Sequence, residues 1–177
     1  MLLSQIGSHL GYAYALAGRL GEAIPLMEQA DEQSKVIGRK ASWALRITWR
    51  GHVNLLDGRI RASREQGQHA LALATDGGER GNQAWAHKLL GDVMLQDESS
   101  DPSEALSHFV PSMALATELR MRPLQAHIHL SVGRLHQREN QIEQARAEFT
   151  LAIQGYRCME MTTWRAAAER ELSALVH

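Results

Sequence analysis

A glycine recurs at a nearly constant interval along this chain, each time inside a segment with helical apolar periodicity. Gly51 follows Gly11 by 40 residues, Gly91 follows Gly51 by 40, and Gly133 follows Gly91 by 42. A glycine inside a helix costs about 1 kcal/mol relative to alanine, so its recurrence indicates places where a second helix approaches closely. An interval of about 40 residues is typical of a solenoid built from stacked helix pairs.

The segment that follows each glycine supports the same repeat. Leu20, Ala23, Met27 and Ala30 are spaced to lie on one face of a second helix. Small residues recur at two of these positions in other units, where they allow two helices to pack at short range. The two recurring sets are Ala23, Ser63 and Ala145, and Ala30, Ala70 and Ala152.

Turn residues mark the end of the first helix of each pair. Gly18 and Gly58 each lie seven residues after a repeat glycine, and Asn140 lies seven residues after Gly133. Glycine and asparagine are the residues that most readily adopt the left-handed conformation at a helix C-terminus. These positions therefore predict sharp helix ends.

The third unit carries an insertion before its second helix. The stretch DESSDP at 97–102 lengthens the loop, so Ala105 and Phe109 are expected to take the roles that Ala145 and Phe149 have in the fourth unit. The last two residues of this stretch predict a helix start, because aspartate caps a helix N-terminus and proline fits the first helical position.

The sequence predicts one all-α domain over residues 1–177, a right-handed α-solenoid of about four helix-turn-helix units. The units span about 1–38, 39–78, 79–121 and 122–159, followed by a capping helix at 162–176. That helix carries Trp164, Ala168, Leu172 and Leu175 on one face and mostly charged side chains on the other. Such a helix can cover the last repeat with its apolar face and expose its charged face to solvent.

The pattern Leu10-Gly11-x-x-Tyr14, followed by small and apolar residues at 23, 27 and 30, resembles the tetratricopeptide repeat. The resemblance covers nearly the whole chain. The period of about 40 exceeds the usual period of about 34 residues, which implies that each helix is about one turn longer. The second unit departs from the pattern at Arg50, Asn54 and Gly67, where larger apolar or aromatic residues are expected.

Three longer stretches are similar to the C-terminal repeat regions of large bacterial signalling ATPases, many of which also carry nucleotide cyclase or transcription-activator domains. They read LGYAYALAGR, ERGNQAWAHKLLGDV and ELRMRPLQAHIHLSVGRLH. No ATPase or cyclase motif is present in this sequence, so the resemblance implies only the role of the repeat segment. Since further repeats precede the equivalent region in such proteins, we expect a segment or a short version of such an array.

Composition narrows the classes of partner. The net charge is −1, so no basic field for nucleic acid is present. No apolar run approaches the roughly 18 residues of a membrane span. A single cysteine, Cys158, cannot form an internal disulfide, which favours a cytoplasmic setting. We therefore expect neither a nucleic-acid nor a membrane partner.

Nine histidines raise the question of a metal site, but their spacing does not support one. Ligands on one helix need a spacing of about three or four residues, whereas His127 and His129 are two apart and His129 and His136 are seven apart. Cys158 is not followed by a glycine-rich turn that could supply an oxyanion site. We expect packing or surface histidines, no cofactor, no metal and no enzymatic activity.

In arrays of the kind that this chain resembles, the first helix of each pair lines the concave surface. Inward positions counted from the repeat glycines give the candidates for a partner-binding groove. They are Tyr12, Leu16, His52, Leu55, Leu56, Trp85, Lys88, Asp92, Arg134 and Arg138. This set contains more apolar side chains than a solvent-exposed surface without a binding role usually carries. The rim of Arg134, Arg138 and Lys88 suits an amphipathic or acidic peptide.

Three functions remain open from the sequence. The first is a protein-interaction scaffold that binds another protein or domain through the concave face. The second is a self-associating structural repeat, a homodimer that hides its apolar surfaces. The third is a small-effector sensor, which needs a deep pocket around Tyr12, Trp49 and Trp85.

Overall fold

In a computed structural model of the protein, residues 2–37 and 43–175 are described, and every regular element in these ranges is an α-helix. In chain order the helices are α1 (Leu2–Leu16), α2 (Leu20–Ile37), α3 (Trp43–Leu56), α4 (Ile60–Asp76), α5 (Arg80–Gln96), α6 (Pro102–Glu118), α7 (Arg122–Arg138), α8 (Ile142–Cys158) and α9 (Thr162–Ala174). The predicted fold class, an all-α helical repeat, is confirmed.

The helix turns follow the predicted chemistry. Gly18, Gly58 and Asn140 all have positive φ, at 77°, 76° and 58°. Arg120 and Glu160 take the same conformation in the turns after α6 and α8, although neither residue type signals it. The predicted boundary between the first two units, at residues 38 and 39, lies outside the described residues.

Helix pairs are the packing unit. α1 packs on α2, α3 on α4, and α7 on α8. A side chain at Gly11 would lie 2.9 Å from Met27 Cγ and 3.1 Å from the carbonyl oxygen of Ala23. The predicted close approach at Gly11 is therefore confirmed.

The chain forms two compact units, residues 1–93 and 94–177, with the division inside α5. In the first unit, Ala15, Ala23, Met27 and Val53 form one buried cluster. A second cluster holds Leu55, Leu89 and Val93. The expectation of a single domain over the whole chain remains a prediction.

The core of the second unit confirms the predicted equivalences. Ala105 and Phe109 are as deeply buried as Ala145 and Phe149. Ala168 of α9 is buried in the cluster formed by α7 and α8, and the side chains predicted for the same face of α9 pack against that cluster. They are Trp164, Leu172 and Leu175.

The predicted start of α6 is confirmed. Asp101 Oδ1 accepts a hydrogen bond from the backbone nitrogen of Ser103 at 2.7 Å, and Pro102 is the first helical residue. Hydrogen bonds from Ser103 lower the pKa of Asp101 below its ordinary value. At α9, Met161 occupies the N-cap, and it makes no side-chain capping bond.

The repeat glycine of the fourth unit gives a test of the packing. An alanine at Gly133 would place its Cβ 2.5 Å from Cδ1 of the buried Phe149 ring. Overpacking costs about 1–3 kcal/mol and outweighs the gain of about 1 kcal/mol in helix propensity. We expect Gly133→Ala to lower the free energy of unfolding by about 1–2 kcal/mol in urea denaturation.

The matched control is Gly21→Ala in α2, where a Cβ meets nothing within 4 Å. Without a clash, only the propensity gain remains, so this variant should be stabilised by up to about 1 kcal/mol. Equal effects of the two substitutions would contradict the close approach at Gly133.

Candidate interaction site

Equivalent positions of three successive first helices come together in the first unit. Tyr12, His52 and Asp92 each directly follow a repeat glycine, on α1, α3 and α5. Tyr12 Oη and His52 Nδ1 are joined by a hydrogen bond of 2.9 Å. The Asp92 carboxylate is close enough to influence the pKa of both groups.

Aromatic rings surround this bond. The Tyr12 and Trp49 rings are stacked, with centroids 5.2 Å apart and planes 9° apart. The ring of His9 meets Trp49 edge-on at 4.8 Å. Such pairs add about 0.5–1.5 kcal/mol beyond the burial of apolar area, so the stack holds Tyr12 in a fixed orientation.

An ion pair lies beside the rings on α5. Lys88 Nζ donates to Asp92 Oδ2 across one helical turn. The two side chains are only 14% and 12% exposed, so the pair is screened far less than a surface pair. We call the set formed by Tyr12, Trp49, His52, Trp85, Lys88 and Asp92 the Tyr12 cluster.

Burial holds two titratable groups of the Tyr12 cluster, Tyr12 and His52, in their neutral forms. Burial, the largest effect, and the Lys88 ammonium lower the pKa of His52 from 6.5 to about 4, while the Asp92 carboxylate opposes this. Burial and then Asp92 raise the pKa of Tyr12 above its ordinary value. At neutral pH neither group carries charge, which makes the pair a structural hydrogen bond and a poor acid–base catalyst.

The Tyr12 cluster encloses a cavity, which Thr48 and Leu89 also line. Its volume is about 20 Å³, which is room for about one water molecule. Sites for small organic ligands have volumes of about 300–1,000 Å³. A pocket around Tyr12, Trp49 and Trp85 is therefore present, but it has no room for a metabolite unless side chains move.

Three predicted groove leucines lie in two different environments. Leu16 and Leu56, one turn after Tyr12 and His52, are 42% and 46% exposed. Leu55 is only 5% exposed and packs with Leu89 and Val93. The expectation that Leu55 lines a groove is corrected, because its side chain points into the contact between α3 and α5.

Arg134 and Arg138 belong to the second unit, where both already have partners. Arg134 Nε donates to Glu171 Oε1 at 2.8 Å. Arg138 donates to the carbonyl oxygen of Leu95 at 3.0 Å and lies 3.6 Å from the Glu139 carboxylate. Since Lys88 is paired as well, all three predicted rim cations are neutralised by this chain, which weakens the case for an acidic peptide.

Sequence reasoning missed a second histidine–tyrosine pair, in the second unit. His127 Nδ1 and Tyr156 Oη are 2.8 Å apart, and the ring of Trp164 meets His127 edge-on at 4.6 Å. Tyr156 is completely buried. The partners come from α7, α8 and α9, so no spacing within one helix could have revealed them.

Two further histidines make side-chain hydrogen bonds. His129 bonds to Glu148 at 2.7 Å, and His136 bonds to Gln141 at 2.6 Å. Over residues 2–37 and 43–175, no three His, Cys, Asp or Glu side chains are grouped as a metal ion would need. Cys158 is exposed and unpaired with another cysteine.

None of the described helices is both long enough and apolar enough to cross a membrane.

Removing the Tyr12 hydroxyl tests the hydrogen bond. Tyr12→Phe keeps the stack on Trp49 but leaves His52 Nδ1 without its partner in a partly buried site. Leaving a buried polar group unsatisfied costs about 1–3 kcal/mol, so we expect a lower free energy of unfolding by about 1–2 kcal/mol in urea denaturation.

The control for this variant is Tyr14→Phe, two residues along α1, where Arg19 Cζ lies 4.2 Å from the centroid of the half-buried ring. That variant should change stability by less than about 0.5 kcal/mol. A Tyr12→Phe variant as stable as the wild type would show that the bond to His52 contributes nothing.

The pKa of His52 predicts a pH dependence of stability. The unfolded chain, with an ordinary histidine pKa near 6.5, takes up a proton as the pH falls, whereas folded His52 resists it down to about pH 4. Stability from this group is therefore complete above pH 6.5 and falls toward pH 4. By linkage, the wild type should lose about 2 kcal/mol more than His52→Asn between pH 7 and pH 5.

Urea denaturation at several pH values measures this difference. His69→Asn, which removes an exposed histidine from α4, serves as the matched control and should show the wild-type dependence. Parallel pH profiles for the wild type and His52→Asn would contradict a neutral, buried His52.

Comparison with solved structures relates the fold to a known protein. The chain is similar to the crystal structure of a signal transduction ATPase with numerous domains (STAND) from Pyrococcus horikoshii that has a tetratricopeptide repeat sensor. The TM-score is 0.71 and the sequence identity 14%, over 97% of this chain and 26% of that chain. The present chain thus spans about a quarter of that protein's length.

Comparisons of the sequence add nothing to this. No protein-family model matches the chain, and no curated protein matches it. The structural similarity at this level of identity shows the fold, and that fold is a tetratricopeptide-like helical repeat.

Proposed function

We propose that this chain is a protein-interaction module that binds a segment of another protein on the surface formed by Leu16, Leu56 and the Tyr12 cluster. The observation that carries the proposal is the exposure of Leu16 and Leu56, at 42% and 46%. They occupy the same position in consecutive repeats, 40 residues apart. Two exposed leucines in one row offer neighbouring apolar contacts to one partner.

The side chains one helical turn before these leucines, Tyr12 and His52, are already held in place, which favours a preformed binding surface. The Tyr12–His52 bond and the Tyr12–Trp49 stack fix the side chains of α1 and α3. A surface that is already ordered loses little conformational entropy when a partner binds. An apolar patch rimmed by polar groups is typical of such binding sites.

The charges favour an amphipathic partner over an acidic one. Lys88 is paired with Asp92, and the pair is largely buried. A carboxylate from a partner would have to displace Asp92 and leave it unpaired, which is costly in a site of low exposure. The partner segment is therefore expected to present apolar side chains, as an amphipathic helix does.

The structural neighbour supports a binding role of the same general kind, since that protein is described as having a tetratricopeptide repeat sensor. A role within a signalling protein, without enzymatic activity of this segment and in the cytoplasm, is part of the proposal. A small-effector sensor has less support because the cavity of about 20 Å³ would have to open by movement of Trp85 or Lys88.

A displayed library of random peptides tests the proposal. Peptides selected on the immobilised chain should be amphipathic and should bind the Leu56→Glu and Leu16→Glu variants at least tenfold more weakly than the wild type. A buried charge at either position would face the apolar side chains of the peptide. Fluorescence titration with labelled peptide measures the affinities.

The matched control is Leu151→Glu on α8, where the leucine is 44% exposed and the substitution is the same. It should leave peptide affinity unchanged. If no peptide is enriched, or if enriched peptides bind all three variants as well as the wild type, the proposal is wrong.

A further inference from the structure

The Lys88–Asp92 ion pair lies in a place where stability alone does not explain it. Lys88 Nζ donates to Asp92 Oδ2 one turn along α5, and both side chains are largely buried. Taking two charges out of water is costly, and apolar side chains of similar volume are often at least as stabilising in such a place. The pair therefore calls for a role other than packing.

The two preceding repeats have no ammonium at the position of Lys88. Thr48 and Ser8 lie 40 and 80 residues before Lys88, at the equivalent positions of α3 and α1. Both are small hydroxyl side chains, and both are buried. The repeat can thus fill this position without a charge, so Lys88 brings a cation to a place where the fold does not require one.

The surroundings of the pair suit an alkylammonium group. The rings of Tyr12, Trp49 and Trp85 line the same cavity as Lys88 and Asp92. Aromatic rings attract cations, and their apolar surface packs against the methylene stem of a basic side chain. The Asp92 carboxylate supplies the counter-charge. These four residues, which we call the cation site, are occupied by the side chain of Lys88.

We propose, building on the binding function given above, that a basic side chain of the partner segment replaces Lys88 on Asp92. The exchange keeps the Asp92 carboxylate paired, while the Lys88 ammonium turns into solvent on its flexible four-carbon stem. An acidic partner would instead take Lys88 and leave a largely buried carboxylate without its counter-charge. The charges of the site therefore favour a cation.

The apolar part of the proposed binding surface lies within reach of the cation site. Leu56 is exposed one helical turn after His52 on α3, and His52 lines the cavity together with Asp92. One turn is about 5.4 Å along the axis, which an extended lysine or arginine side chain can span. The partner is thus a basic amphipathic helix that carries an apolar and a basic residue on one face.

Chemical rescue tests the cation site without any partner. Lys88→Ala removes Cγ, Cδ, Cε and Nζ, which together correspond to n-propylammonium. The variant should melt below the wild type, because the Asp92 carboxylate loses its counter-charge. Adding n-propylammonium chloride to about 100 mM should raise its Tm by about 3 °C. Potassium chloride or 1-propanol at the same concentration should not, as measured by thermal denaturation followed by circular dichroism.

Two control variants separate the cation site from general salt effects. Lys88→Ala combined with Asp92→Ala removes both charges and should not respond to n-propylammonium. Arg61→Ala breaks an exposed ion pair with Glu65 at the same spacing on α4, and it should not respond either. No rise in the Tm of Lys88→Ala, or an equal rise in either control, would overturn the inference.

Selected peptides test the partner residue in the wild-type chain. Peptides enriched on the wild type should carry lysine or arginine beside their apolar residues. Replacing that residue by methionine should weaken binding to the wild type about tenfold or more and should leave binding to Asp92→Asn unchanged. Circular dichroism checks that Asp92→Asn keeps its helix content.

The outcomes distinguish this inference from the proposed function. Enriched peptides that lack a basic residue, or that lose equal affinity for the wild type and Asp92→Asn, would overturn the exchange at Asp92 while the apolar binding surface stands. An absence of enriched peptides would overturn the binding function and the partner residue together, even if n-propylammonium rescues Lys88→Ala.

Discussion

The close approach of helices at a repeat glycine is the constraint on which the rest of the structure depends. Each glycine costs its own helix about 1 kcal/mol of propensity. In return, a large side chain from a neighbouring helix fills the space, as Met27 does at Gly11 and Phe149 does at Gly133. Full burial of such a side chain contributes about 1.5–3 kcal/mol. The balance favours the close contact, which explains why a destabilising residue recurs at the same position.

That constraint also builds the Tyr12 cluster. Because the first helices of the first unit are held at the same register, the residue after the repeat glycine on α1 lies beside its equivalent on α3. Tyr12 and His52 meet in this way at 2.9 Å, and Asp92 is close enough to act on both pKa values. The repeat thus brings polar groups together that are 40 residues apart, and the partly buried setting forces them to pair with each other.

The sequence predicted the period, the fold class, the turn conformation of Gly18 and the capping bond of Asp101, because each depends on local chemistry. It did not predict that Leu55 is buried, because an exposed and an interhelix position differ by only one residue along α3. It did not show that the missing side chain at Gly67 leaves space for Leu90, since the two residues lie on different helices. The neutralisation of Arg134 by Glu171 was likewise hidden, because the partners are 37 residues apart.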